Sequence, residues 1–72
     1  MVSVEAYFGE KAGIVWGVLK QNGPLSVAVL KRRTQLSSTE LYAALGWLAR
    51  ENKIRITGES PLKYRFALNE QG

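Results

Sequence analysis

The chain has 72 residues, enough for one small domain and too few for two. Its hydrophobic share of 46% is that of a globular domain, but it contains no His, no Cys and no Asp, which excludes disulfide frameworks, zinc fingers, His-ligated metal sites and Cys or Ser–His nucleophiles. Ten Lys and Arg against six Glu leave a net charge of +4, which suits nucleic acid, an anionic surface or an acidic protein without choosing among them.

The first segment, ending at Asn22-Gly23-Pro24, reads as a helix with Lys20 in its last turn and Gly23 at the C-cap position. Ser3 is one candidate N-cap and Gly9 a later start; the working boundaries are 9–22. Ala12, Val15, Trp16 and Leu19 form an i, i+3, i+4, i+7 stripe expected to face the core. Ile14 and Val18 form a second stripe about 100° around the helix. That stripe is either buried in the same small domain or, with Tyr7 and Phe8, met by a second chain.

A short helix over 26–34 follows, capped by Ser26, with Val27 and Leu30 inward and Lys31-Arg32-Arg33 at its end. These three residues concentrate the charge. Residues 1–30 sum to zero (Lys11 and Lys20 against Glu5 and Glu10), and residues 34–72 sum to +1 (five bases against four acids). The basic run complements the helix dipole in any case.

The third helix, over 37–52, starts at Ser37-Ser38-Thr39-Glu40, a capping-box pattern. Leu41, Ala44, Leu45 and Leu48 form its core stripe. Thr39, Tyr42, Ala43, Gly46 and Arg50 lie on the opposite face, and Trp47 lies at the margin, expected to pack on neighbouring elements. Alternating runs at Ile54–Ile56 and Leu62–Leu68 then predict a hairpin over 54–68. Its apolar face is expected to carry Ile54, Ile56, Leu62, Tyr64, Phe66 and Leu68. The other face is expected to carry Arg55, Lys63, Arg65 and Ala67.

Three helices followed by a two-stranded hairpin, with only Thr34 to Leu36 between the second and third helices, is the element order of a winged helix-turn-helix. The expected fold class is therefore mostly α with a small β-hairpin, in one domain over residues 1–72. The stretches Ala12-Gly13-Ile14-Val15-Trp16, Leu36-Ser37 and Leu41 through Ile54 resemble a family of small stand-alone prokaryotic winged helix-turn-helix domains. The resemblance spans roughly residues 10 to 68. That family is defined by its fold, so the likeness implies an architecture and carries over no activity. Two positions depart from the usual helix-turn-helix pattern. Gln35 stands where the turn commonly has Gly, putting the turn geometry in question, and Lys31 stands where a small residue commonly faces the first helix, requiring it to reach outward along its stem.

In such a motif the third helix is presented to a DNA groove. The residues expected to contact nucleic acid are Arg32, Arg33, Ser38, Thr39, Tyr42, Arg50, Arg55, Lys63 and Arg65. The bases would hold phosphates, which supply most affinity, and the hydroxyls would sit at a helix N-terminus. The same helix argues against strong base readout, which relies on Arg, Lys, Asn or Gln in the groove; here only Arg50 qualifies, at its far end. Lys and Arg on the wing also have a plain role in preventing edge-to-edge aggregation. The function expected is thus a small DNA-binding regulator with weak base specificity. The alternative is a protein-interaction module or homodimer using Ile14 and Val18, or Ala43 and Gly46. An enzyme is not expected, since no two glutamates have a spacing suited to paired acid–base work. No cofactor, metal or small-molecule ligand is implied. No membrane span or signal peptide is legible, so a cytoplasmic location is the expectation.

Overall fold

A computed structural model describes residues 3–69, and its first helix begins where Ser3 caps it. The Ser3 hydroxyl accepts the Ala6 N–H at 3.0 Å, so α1 spans Val4–Asn22. The helix does not wait for Gly9, and the additional turns bring Tyr7 and Phe8 into it. Gly23, at φ 78°, ends the helix by donating its N–H to the Leu19 carbonyl, a backbone conformation that glycine takes without steric cost.

Ser26 caps α2 (Val27–Thr34), accepting the Val29 N–H at 3.3 Å. The turn into α3 (Ser38–Arg50) is held by two side chains that face in opposite directions. Thr34 is buried; its hydroxyl donates to the Leu30 carbonyl at 2.7 Å and accepts the Leu36 N–H at 3.3 Å. Gln35 is exposed and takes the left-handed conformation, φ 63° and ψ 17°. Its N–H donates to the Lys31 carbonyl and its Nε2 to the Arg32 carbonyl, both at 3.1 Å. The turn therefore keeps its usual shape with glutamine in place of glycine, and Lys31 is exposed as its position demands.

Ser37 and Glu40 form the capping box that opens α3. The Ser37 hydroxyl accepts the Glu40 N–H at 3.1 Å, and a Glu40 oxygen accepts the Ser37 N–H at 2.9 Å. The core lies beneath this helix. Leu41, Ala44, Leu45 and Leu48 bury against Ala12, Val15 and Leu19 of α1, Leu30 of α2, Leu36 of the turn and Ile54 of the first strand. Trp16, expected in the core, is instead 37% exposed. Its position lies past the edge of the surface that α3 covers, and it borders a recess with Gly13 and Trp47. Val18 packs against the core while Ile14 is exposed, so the two do not form one free stripe.

The wing pairs β1 (Ile54–Thr57) antiparallel with β2 (Arg65–Leu68), matching Ile54 with Leu68 and Ile56 with Phe66. Leu25 adds a one-residue bridge on the other side of β2, exchanging both backbone hydrogen bonds with Phe66 at 2.8 and 3.0 Å. Between the strands, Pro61–Lys63 form a single 3₁₀ turn. Gly58, at φ 115°, lies so close to the Lys63 carbonyl oxygen that any Cβ would collide with it. This turn overrides the alternation expected from Leu62 onward: proline sets a turn geometry, Leu62 is fully exposed, and Lys63 and Tyr64 precede the strand.

Register places Ile54, Ile56, Phe66 and Leu68 on one face and Arg55, Thr57, Arg65 and Ala67 on the other. Within the paired strands, burial departs from the expectation at two positions. Ala67 is buried, in a recess with Leu19, Gly23, Pro24 and Arg55, and Ile56 is 54% exposed because the apolar face runs beyond the core. Asn69 closes the base, its Nδ2 donating to the Asn52 backbone oxygen and Oδ1 at 3.2 Å each.

Two outcomes test this frame. Gln35→Gly should raise stability by up to about 1 kcal/mol, the cost of a side chain in the left-handed region, whereas Gln35→Val should lower it; urea denaturation measures both. The second concerns Glu40. The hydrogen bond from the Ser37 backbone N–H, then that of the Ser37 hydroxyl, hold its carboxyl below the usual glutamate range; desolvation opposes them, and the Lys11 charge adds a still smaller lowering. Because the folded value is the depressed one, its contribution to stability is present above the unfolded glutamate value, about 4.3, and fades as pH falls through the folded value. NMR titration should find Glu40 ionising below the unfolded range in the native chain and closer to that range in Ser37→Ala, with loss of the cap costing about 1 kcal/mol at neutral pH.

Candidate nucleic-acid interface

The α1-facing flank of α3 is fully engaged, which determines what the other flank presents. Glu40 caps the helix with one oxygen and meets Lys11 Nζ with the other at 3.5 Å. Lys11 also lies over the Tyr7 ring, 4.7 Å from its centroid. Tyr7 contacts Phe8 edge-on at 5.2 Å, and Phe8 stacks on Trp47 at 6.2 Å and 20°. Ala43 is half-buried. One and a half turns of α1 thus clasp α3 from its first turn to Trp47, so Trp47 packs on a neighbour as its marginal position suggested.

Exposed on α3 are Ser38, Thr39, Tyr42, Gly46, Ala49 and Arg50. This face is almost uncharged: Arg50 is its single base, in the last turn. Ser38 and Thr39 are in the first turn, where unsatisfied backbone N–H groups and the helix dipole favour an anion.

The expected phosphate-binding bases are exposed and come from three places. Arg32 and Arg33 end α2, Arg50 ends α3, and Arg55, Lys63 and Arg65 belong to the wing. Among the described residues, ion pairs engage only Lys11 with Glu40 and Lys53 with Glu51. Lys31, Arg32, Arg33, Arg50, Arg55, Lys63 and Arg65 have no acidic partner there. The wing bases do not share one face as expected: Arg55 and Arg65 do, while Lys63 lies in the 3₁₀ turn.

Tyr42, Gly46 and Arg55 are brought together in a groove of about 450 Å³ between α3 and the wing, completed by Leu45, Ala49, Ile54, Ile56 and Phe66. Sequence reading assigned the α3 face and the hairpin face separately and missed that they meet. The signal available was the i, i+4, i+7 spacing of Tyr42, Gly46 and Ala49 opposite the alternating Ile54 and Ile56. Ala43 does not line this groove, so Ala43 and Gly46 do not form a common exposed surface. Among the described residues no group of His, Cys, Asp and Glu is placed to hold a metal ion, and no helix is long and apolar enough to cross a membrane.

Comparison with known proteins agrees with this architecture. The solution NMR structure of a protein from Bacteroides thetaiotaomicron, a structural-genomics target, superimposes with a TM-score of 0.83 at 30% identity, over 96% of this chain and 83% of that one. No curated protein matches the chain. The model of the winged helix-turn-helix domain family DUF2582 matches residues 3–66. A capped third helix packed on α1, a turn closed by Gln35 and a wing edged by Leu25 are thus how this chain builds the family's fold, and it belongs to the DUF2582 winged helix-turn-helix domains.

Proposed function

We propose that the protein is a small cytoplasmic DNA-binding module, of the regulatory kind, that holds duplex DNA through its phosphates and discriminates weakly among bases. The observation that carries this reading is that, among the described residues, the exposed bases Lys31, Arg32, Arg33, Arg50, Arg55, Lys63 and Arg65 have no acidic partner and lie before, at the end of and after a nearly neutral α3. In a helix-turn-helix the second helix of the motif enters the major groove while neighbouring elements grip the backbone. Here α3 offers that groove Thr39, Tyr42 and Gly46, which lack the paired donors and acceptors that tell one base pair from another. Affinity then resides in phosphate contacts, from the bases on α2 and the wing and from Ser38 and Thr39 at the helix N-terminus. The chain acts by binding rather than by catalysis.

Fluorescence anisotropy with duplexes of unrelated sequence tests the proposal. Affinity should fall steeply with salt, log K declining by about 0.9 per contacted phosphate for each unit of log salt concentration. The double change Arg32→Glu with Arg33→Glu should weaken binding at least tenfold and flatten the slope by about 2. Binding that is indifferent to salt, or unchanged in the double variant, would refute the phosphate reading.

A further inference from the structure

The outer edge of β1 is unpaired, and it runs beside the apolar groove. Phe66 spends both its N–H and its C=O on Leu25, so they point away from β1. In an antiparallel ladder the direction alternates along a strand, so Arg65 and Ala67 turn theirs toward Thr57 and Arg55. The backbone groups of Ile54 and Ile56 therefore point outward, off the free edge. Asn69, whose N–H donates to the Lys53 carbonyl at 2.8 Å, continues the same alternation. No described residue pairs with Ile56 on that side. Its side chain is 54% exposed, and Tyr42 across the groove is 58% exposed. At Gly46, between them, an added Cβ would meet nothing within 4 Å, so the groove is open there.

We propose that this edge and groove receive an extended segment of another protein as an added strand, one with apolar residues at alternate positions and acidic residues flanking them. A strand edge gives main-chain affinity, and the pockets beside it select alternate side chains. A residue paired with Ile56 would direct its side chain to the same face as Ile56 and Phe66, into the groove. Charge selects the acidic flanks: Arg55 is among the residues bordering the groove, and no acid lines it. A second copy would bring another +4 chain and another Arg55 to a groove that no acid lines. Nucleic acid has no backbone able to continue the ladder. Because Tyr42 and Arg55 also belong to the proposed DNA contacts, peptide and DNA compete for this side of the molecule.

The test uses the full ¹⁵N-labelled chain and a capped synthetic peptide, EEVTVTVEE, without DNA, so its outcome is independent of the DNA reading. The peptide should shift the amides of Tyr42, Gly46, Ile54 and Ile56 and slow hydrogen exchange at Ile56 about tenfold or more. The analogue KKVTVTVKK should bind about tenfold more weakly at low salt. Methylating the central valine nitrogen, which removes the N–H opposite Ile56, should abolish binding. Ile56→Pro removes the outward N–H together with the isoleucine side chain, a backbone change an edge strand tolerates, and should abolish binding while the rest of the spectrum persists. Ile56→Thr, which keeps the backbone donor, should weaken binding and serves if the proline variant fails to fold. No shift up to about 1 mM peptide, or equal binding by the methylated peptide, overturns the proposal. It is also overturned if the Ile56 amide shifts with protein concentration alone and sedimentation shows a dimer, since the occupant would then be a second copy.

Discussion

Burial of one stripe of α3 on α1 is the constraint from which the remaining geometry follows. Leu41, Val15 and Leu19 are fully or almost fully buried at this contact, with Leu30 closing it from α2. Each such side chain contributes about 1.5–3 kcal/mol by leaving water. With that stripe seated, rotation of α3 about its own axis is determined. Glu40 then falls beside Lys11 and Trp47 beside Phe8, while Tyr42, Gly46 and Ala49 turn toward the wing. The Glu40 carboxylate adds axial register, because a single group both caps α3 and meets α1. The ion pair itself, half-buried at the surface, contributes modestly; its value lies in where it sets the helix N-terminus.

The electrostatic design follows from the same division. Among the described residues Glu40 and Glu51 are engaged with Lys11 and Lys53, and the bases of α2, the end of α3 and the wing have no acidic partner. The helix presented by the motif is neutral on its exposed face, and its groove with the wing is apolar. The unpartnered bases and the apolar groove are what the proposed phosphate binding and the proposed strand addition respectively rest on. The proposed phosphate contacts draw on side-chain charges and the proposed strand addition mainly on backbone N–H and C=O groups, with Tyr42 and Arg55 shared between them.

Local signals made much of the fold legible. Ser26, the Ser37–Glu40 box, the Gly23-Pro24 stop and the Leu41, Ala44, Leu45, Leu48 stripe are short-range patterns with one physical outcome each, and the structure has all of them. The misjudged positions depend on long-range contacts or on competing local rules. Whether Ser3 or Gly9 opens α1 depends on whether Phe8 has a partner, and Trp47 is 39 positions further along the chain. The alternation through Leu62 and Tyr64 was real in the sequence, but Pro61 and the close approach at Gly58 impose a turn first. Trp16 leaves the core face that helical spacing gives it, because the width of the covered face is set by α3. The shared face of Arg55, Arg65 and Ala67 was legible in the alternation and the register confirms it, whereas Lys63 leaves that face for the 3₁₀ turn that Pro61 begins.

The most direct test of phosphate-dominated DNA binding is an NMR titration of the ¹⁵N-labelled chain with two duplexes of unrelated sequence at low and moderate salt. The expected result is a common set of shifts at Arg32, Arg33, Ser38, Thr39 and the wing, the same for both duplexes and shrinking together as salt rises. Shifts confined to Tyr42, Gly46 and Arg50 that differ between the duplexes, or no shifts at low salt, would contradict it.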